Sequence, residues 1–313
     1  MQRNCGLAIV KRLPFSNPGE IMRLSGPSLV SIVTHPGSAH KDDFLACAVL
    51  LSKYPVSIFR REPSEEELGN PEVAVVDIGH RFESELNNFD HHQFDRELEP
   101  TCALSLVLQN MGIYEDSKEF CGWLETTEWF DCRGPNETAE WLGVEREAMA
   151  KLNSPLDVSM FQAFSRQSEH HSGEPVWEIM KRIGADLVNY VTGLRSRINQ
   201  VAEVEEIWEL GEGTEFFKVA FVPRTDLTIE DASGGLAWRI KELGLEEEVV
   251  AMVYPDSRGT GYGMRRYNDN PRMDFCKLRE EPEVHFTHNR GFIAKTSCID
   301  PGRLKQMLLL AKV

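Results

Sequence analysis

The strongest constraint in the chain is a strand–helix–strand rhythm between residues 29 and 76. Leu29-Val30-Ser31-Ile32-Val33-Thr34 is a run rich in β-branched residues, stopped by His35-Pro36-Gly37. Residues 42–53 follow, with Phe44, Leu45, Ala48, Val49, Leu50 and Leu51 apolar over much of a helical circumference, as expected of a helix pressed on a sheet. Pro55 ends that helix, Val56-Ser57-Ile58-Phe59 reads as a second strand, and Val73-Ala74-Val75-Val76 as a third. This alternation predicts an α/β fold with a mostly parallel, doubly wound sheet, whose functional side chains collect beyond the carboxyl ends of the strands.

Polar residues cluster at those ends. His35 leaves the first strand, and His40, Asp42 and Asp43 stand at the start of the helix. Asp77 leaves the third strand in the same topological position. Neighbouring parallel strands lie ~5 Å apart, so an imidazole and a carboxylate at their ends can share a cation, and a carboxylate can bridge two. Asn88-Phe89-Asp90-His91-His92-Gln93 adds a further carboxylate and two imidazoles. There Asp90 is placed to orient a histidine, while His91 and His92 can divide between metal and substrate. Asp131, between Trp129-Phe130 and Cys132-Arg133-Gly134-Pro135, is either a turn former or a ligand brought in from the side. Imidazole with carboxylate suits Mn²⁺, Zn²⁺ or Fe²⁺, and carboxylate-rich sites also accept Mg²⁺. Each group has a plainer alternative: Asp42 or Asp43 as helix caps, Asp77 as a solvated strand end, Asp90-His91-His92 as a capped turn. His80, and the His170-His171 pair in its Ser/Glu-rich stretch, read as solvated loop residues.

Beyond residue 100 the texture is helical. Helices are expected over 101–111, from Ser117 towards Asp131, over 138–152, and from Ser172 onward. The last is the longest, with Glu174 and Pro175 in its first turn and an apolar ladder from Val176 and Met180 to Ile198 and Val201. The acidic stretch Glu203–Gly213 reads as a boundary, giving a catalytic, metal-binding domain over 1–205 and a smaller mixed α/β substrate-binding domain over 206–313. In the latter, strands are expected at 216–222, 249–254, 262–266, 273–278 and 291–294, and helices at 235–243 and 301–311. The apolar run 6–10 reads as a peripheral strand.

A formal charge of −16 over 313 residues argues against a generic nucleic-acid surface, though not against an enzyme acting on phosphate esters. Basic residues stand out in the second domain, and Arg239, Arg258, Arg265, Arg266, Arg290 and Lys295, with His288, are the expected substrate lining. Gly259-Thr260-Gly261-Tyr262-Gly263 would let backbone approach a phosphate, or forms an ordinary hairpin turn. No run approaches eighteen apolar residues, so no membrane span is expected, and residues 1–5 lack a signal-peptide core. Seven scattered cysteines without a CxxC pair read as reduced thiols of a cytoplasmic protein.

In combination these motifs resemble the DHH phosphoesterase superfamily. Val75-Val76-Asp77 and Asp131 belong to the superfamily pattern, and the closer resemblance is to its Myg (melanocyte-proliferation-gene-like) branch, through Thr34-His35-Pro36-Gly37-Ser38-Ala39-His40-Lys41-Asp42-Asp43, Phe89-Asp90-His91-His92-Gln93 and His288 with Gly291-Phe292-Ile293. The sequence departs from that branch where Phe94 follows Gln93, and where Ser233-Gly234-Gly235 and Trp238-Arg239 are the nearest equivalents of its second-domain motif. The resemblance implies a hydrolase with two divalent ions, usually Mn²⁺, in a cleft between the two domains. His35, His40 and Asp77 would hold one ion, and Asp42, Asp77, His91 and Asp131 the other. His92 would face the scissile phosphate, supported by Asp90. The activity it implies is phosphodiester hydrolysis, foremost as a 3′→5′ exonuclease on RNA or short oligonucleotides. A small-molecule phosphohydrolase acting on pyrophosphate or cyclic dinucleotides is the alternative, and a non-catalytic binding or scaffold protein a third reading. The expected partner is a phosphate ester, including single-stranded RNA. The sequence leaves the oligomeric state open, a homodimer among the options.

Overall fold

A computed structural model describes residues 28–151, 154–211, 216–226 and 229–313. The strand expected at 6–10 lies outside the described residues. The chain divides into two compact units, residues 1–192 and 193–313.

In the first unit the elements run β1 (Ser31–Thr34), α1 (Lys41–Lys53), β2 (Ser57–Arg60), α2 (Glu65–Leu68), β3 (Val73–Val76), β4 (Phe82–Glu83) and β5 (Asn88–Phe89). They continue as α3 (Ala103–Asn110), α4 (Tyr114–Phe120), α5 (Trp123–Leu142), α6 (Arg146–Lys151), α7 (Pro155–Ser165), β6 (Glu169–His170) and α8 (Pro175–Ala202), with the division into units falling inside α8. The sheet order is β4-β5-β3-β1-β2-β6, with β5, β3, β1 and β2 parallel and an antiparallel strand at each edge. The α/β architecture with a predominantly parallel first sheet agrees with the sequence reading.

α1 explains why its sequence is apolar nearly all round. It packs against β3, α3, α5 and α7, and Phe44, Cys47, Val49, Leu50 and Leu51 are all buried. Against Gly184 of α8 it comes so close that a Cβ there would fall 1.8 Å from the Ala48 carbonyl oxygen. The helix starts where the Asp43 carboxylate accepts the His40 backbone N–H at 2.7 Å, and ends at Tyr54, which the following Pro55 holds in extended backbone.

The second unit holds the end of α8 and a mixed sheet built from β7 (Glu206–Leu210), β8 (Phe217–Phe221), β9 (Val249–Pro255), β10 (Tyr262–Arg266), β11 (Val284–Thr287) and β12 (Ile293–Thr296). Its order is β11-β12-β10-β9-β8-β7, and only β8 and β9 run parallel, joined by α9 (Ala232–Glu242). Trp208, Phe221, Val253, Met264 and Phe275 form a core on one side with Leu304 and Met307 of α10 (Pro301–Leu310), and Ala220, Leu236, Ile240 and Met252 form a second core with α9.

Several expectations need correction. Residues 273–278 are not a strand, because the Asp274 carboxylate accepts the Cys276 N–H and starts a 3₁₀ turn over Phe275–Leu278. The helix expected over 138–152 is split. Its first part belongs to α5, which breaks at Gly134 (φ 74°), and α6 begins only after the left-handed Gly143 (φ 68°). The expected solvated loop at His170-His171 is only half correct. His170 is buried in β6, paired with β2, and lies against the Phe164 ring at 4.9 Å. His171 stays exposed. Glu206–Leu210, inside the acidic stretch, forms an edge strand.

Candidate metal centre

Strand register assembles the site. β1 and β3 pair with Thr34 opposite Val76, and β3 and β5 with Val76 opposite Phe89. The next residues, His35, Asp77 and Asp90, therefore leave three adjacent parallel strands side by side, and the Asp77 N–H donates to the Phe89 carbonyl at 3.0 Å. Asp77 takes a left-handed backbone (φ 58°), which an aspartate tolerates better than a branched residue. His35 Nε2 lies 3.5 Å from Asp77 Oδ2. His91 Nε2 stands between Asp77 Oδ1 at 3.1 Å and Asp131 Oδ2 at 3.0 Å, and His40 Nδ1 is 4.0 Å from Asp131 Oδ1. Asp131 arrives on α5, one turn before its break at Gly134.

Asp42 is the physical centre of the argument. It sits in the first turn of α1 with 1 % of its surface exposed, and neither carboxylate oxygen has a hydrogen-bond partner. Burial, and then the charges of Asp77, Asp131 and Asp43, push its pKa well above the usual carboxylate range. Asp77 is raised chiefly by burial as well. A buried, unpaired carboxylate among other carboxylates is costly unless a cation meets it. Four overlapping triads place their ligand atoms within 4.8 Å of one another: His35-His40-Asp77, His40-Asp42-Asp131, Asp77-His91-His92 and His91-Asp131-Cys132. These imidazole and carboxylate clusters are suited to divalent metal ions, and the orphaned Asp42 oxygens are the observation that fits such an ion.

The carboxylates around His35 and His91 favour the protonated form of both rings. Asp43, 3.1 Å from its Nε2, raises His35 to about 9. Burial favours the neutral form of His91, but Asp131 and Asp77 outweigh it and hold the ring at about 12. Divalent cations and these protons would occupy the same positions.

Asp90 lies just behind. Its Oδ1 accepts the His92 Nδ1 proton at 2.7 Å and the His92 backbone N–H at 3.0 Å, and its Oδ2 accepts the His80 N–H at 2.7 Å. Burial pushes this carboxyl up, yet those donors prevail and keep it at about 2. With Nδ1 committed to Asp90, the opposite ring nitrogen of His92, which is half-exposed, is free to face the cleft. That cleft has a volume of about 790 Å³. His35, His40, Asp77, His91, His92 and Asp131 are among the residues lining it.

Arg60 and Cys132 escaped the sequence reading, which also left open which of the two first-turn aspartates caps the helix. Asp43, rather than Asp42, is the residue that caps α1, and its second oxygen faces His35 and Arg60. Arg60, buried at the end of β2, donates to the Gly37 carbonyl at 3.0 Å and lies 3.6 Å from Asp43. The available signal was an arginine pair, Arg60-Arg61, closing an apolar strand. Cys132 was likewise passed over, though its sulfur lies 3.7 Å from His91 Nδ1.

The basic residues of the second unit do not gather at one place. Arg265 and Arg266 line a hollow of about 450 Å³ with Asp231, Ser233 and Gly234 at the start of α9. Arg239 pairs with Glu205 and Glu242, and Lys295 with Asp256 at 2.7 Å. His288 lies against Phe292, its Nδ1 accepting the Arg290 N–H, and the Asp256 carboxylate accepts the Arg258 N–H. Six described cysteines are free thiols, and no helix among the described residues is long and apolar enough to cross a membrane.

Residues 31–106 match the family model MYG1_exonuc, described as an uncharacterised protein family (UPF0160). No curated protein matches the chain. Among the solved structures that match is the crystal structure of RecJ in complex with Mn²⁺ from Thermus thermophilus, at 13 % identity and a TM-score of 0.27. The likeness covers 90 % of this chain and 51 % of that one, so the chain spans about half the length of that protein.

Proposed function

We propose that the chain is a metal-dependent phosphoesterase that hydrolyses phosphodiester bonds at two divalent ions, Mn²⁺ being the preferred metal. The observation that carries this reading is Asp42, a buried carboxylate whose two oxygens are orphaned, one of them within 4.8 Å of ligand atoms of His40 and Asp131. The partial family match over residues 31–106 spans every proposed ligand except Asp131.

In this account His35, His40 and Asp77 would hold one ion, and Asp42, Asp77, His91 and Asp131 the other. The ions supply positive charge that lowers the pKa of water and offsets charge on the phosphoryl oxygens. His92 hydrogen-bonds the phosphoryl group as charge builds on it, and Asp90 holds the ring in the orientation this requires. Hydrolysis adds the elements of water across the P–O bond, leaving a phosphate monoester and an alcohol.

The preferred substrate reading is 3′→5′ removal of nucleotides from RNA or short oligonucleotides. The wall of the cleft favours short substrates over long strands: Glu62 and Asp95 line it, exposed, beside Glu65 and Glu99, which are paired with Arg81 and Lys118. Its two arginines are engaged by the protein, Arg96 by Glu137 and Arg133 by the carbonyls of Arg96 and Leu98. The same feature favours a small-molecule phosphohydrolase as the second reading. The reading assigns residues 206–313 to substrate binding, with Arg265 and Arg266 the first candidates because they share a hollow. The test is hydrolysis of 5′- and 3′-labelled short RNA and DNA, pyrophosphate and cyclic dinucleotides with Mn²⁺ present. Stepwise shortening of RNA from its 3′ end is expected; turnover of pyrophosphate alone moves the assignment to the second reading, and turnover of none rejects both.

A further inference from the structure

His80 stands outside every ligand cluster, yet its surroundings are specific. It lines the same cleft as His92, is exposed, and neither ring nitrogen has a hydrogen-bond partner among the described residues. Its backbone is left-handed (φ 52°), an uncommon conformation for a residue with a Cβ. What holds it there is Asp90. One carboxylate takes the His80 N–H on Oδ2 and both the N–H and the ring of His92 on Oδ1. A single buried group thus fixes two separate loop positions that each present an imidazole. The two rings lie 6.2 Å apart between centroids, inclined at 69°. They are too far apart to bond one another directly. Ring nitrogens at such a separation can reach different oxygens of one tetrahedral phosphoryl group, since each donor spans ~2.8 Å.

From this geometry we propose that His80 is a second substrate-contacting imidazole, paired with His92 and binding a phosphoryl oxygen of a phosphate ester. The inference rests on the phosphoesterase reading above and adds to it a residue that binds no metal. Strain at an exposed non-glycine residue persists where the surroundings hold it, and here the holder is the same carboxylate that orients His92. His80 therefore contributes to affinity for the phosphoryl group without contributing to metal uptake.

The test uses His80→Gly in the full chain. Glycine accepts the left-handed backbone and keeps the N–H that Asp90 binds, so the imidazole is removed with little cost to the fold. His80→Asn, which also tolerates that backbone, restores one amide donor. Inorganic phosphate binding to the Mn²⁺-loaded proteins is measured by calorimetry, together with Mn²⁺ stoichiometry. The expected result is ~10-fold weaker phosphate binding in His80→Gly, the size of one hydrogen bond to a charged group, with a smaller loss in His80→Asn and unchanged Mn²⁺ content. Unchanged phosphate affinity in His80→Gly, with normal Mn²⁺ content, overturns this inference and leaves the phosphoesterase reading standing. Reduced Mn²⁺ content in the same variant also overturns it, because His80 would then serve the metals. A wild-type chain that takes up no Mn²⁺ overturns the metal reading and this inference together.

Discussion

Replacing Asp42 by asparagine separates the cost of the metal-free site from its use. In the metal-free protein the carboxylate is 1 % exposed, unbonded, and surrounded by Asp43, Asp77 and Asp131. Leaving a buried polar group unsatisfied costs ~1–3 kcal/mol. Asparagine carries no charge and can donate to Asp77 or Asp131, so Asp42→Asn stabilises the metal-stripped protein. Taking ~2 kcal/mol for a unit of this size gives a rise in Tm of ~4–8 °C. With Mn²⁺ the order reverses. A free-ion excess of a thousandfold over Kd stabilises the wild type by ~4 kcal/mol, and the variant, lacking a ligand, loses most of that gain. The assay is thermal unfolding after chelation and again after Mn²⁺ addition. A variant that melts lower than wild type when stripped, or that keeps the full Mn²⁺ response, refutes the reasoning.

Other consequences follow from the same geometry. His35 is raised to about 9 in the metal-free fold, so its contribution to stability is complete below the ordinary value of 6.5 and is lost as pH rises through 9. Since metal must displace that proton, the Mn²⁺-induced rise in Tm is expected to grow from pH 6.5 to 9; a gain independent of pH over that window contradicts the ligand assignment. Arg60→Met removes one of the two cations beside the buried Asp43, the other being His35, and should cost ~3 kcal/mol in urea unfolding, whereas a loss under ~1 kcal/mol would show that the pair is not structural. Gly184→Ala drives a Cβ onto the Ala48 carbonyl oxygen and should destabilise by ~2–3 kcal/mol or prevent folding. An unchanged unfolding midpoint in that variant would show that α8 does not press on α1 there.

The parallel sheet was legible because three short apolar strands end in polar residues at matching positions. Periodicity located α1 and α8 within a residue or a turn, since both bury wide apolar faces. The parts that escaped notice are short or depend on distant partners. β5 has two residues and exists because β3 lies beside it, while β6 exists because β2 offers an edge. His170 looks polar and solvated in the sequence; its burial depends on the Phe164 ring of α7 and on the pairing of β6 with β2. At the site, His35 and Asp77 could be placed from strand ends alone, while Asp90 was legible only through its Asp-His-His run, its strand β5 having gone unseen. Asp43 and Arg60 could not, because their function is to hold other groups, and which groups those are depends on register. The choice between Asp42 and Asp43 as the helix cap needed the backbone, which turns one carboxylate to the N-terminus of α1 and the other into the cleft.

The most direct test of the central claim is the metal content of the chain itself. Protein stripped with chelator, equilibrated with Mn²⁺ and freed of excess ion is weighed by native mass spectrometry alongside Asp77→Asn. Two ions per wild-type chain are predicted, with both sites weakened in the variant because Asp77 serves each. Less than one ion per wild-type chain, or a variant that retains two, would contradict the account.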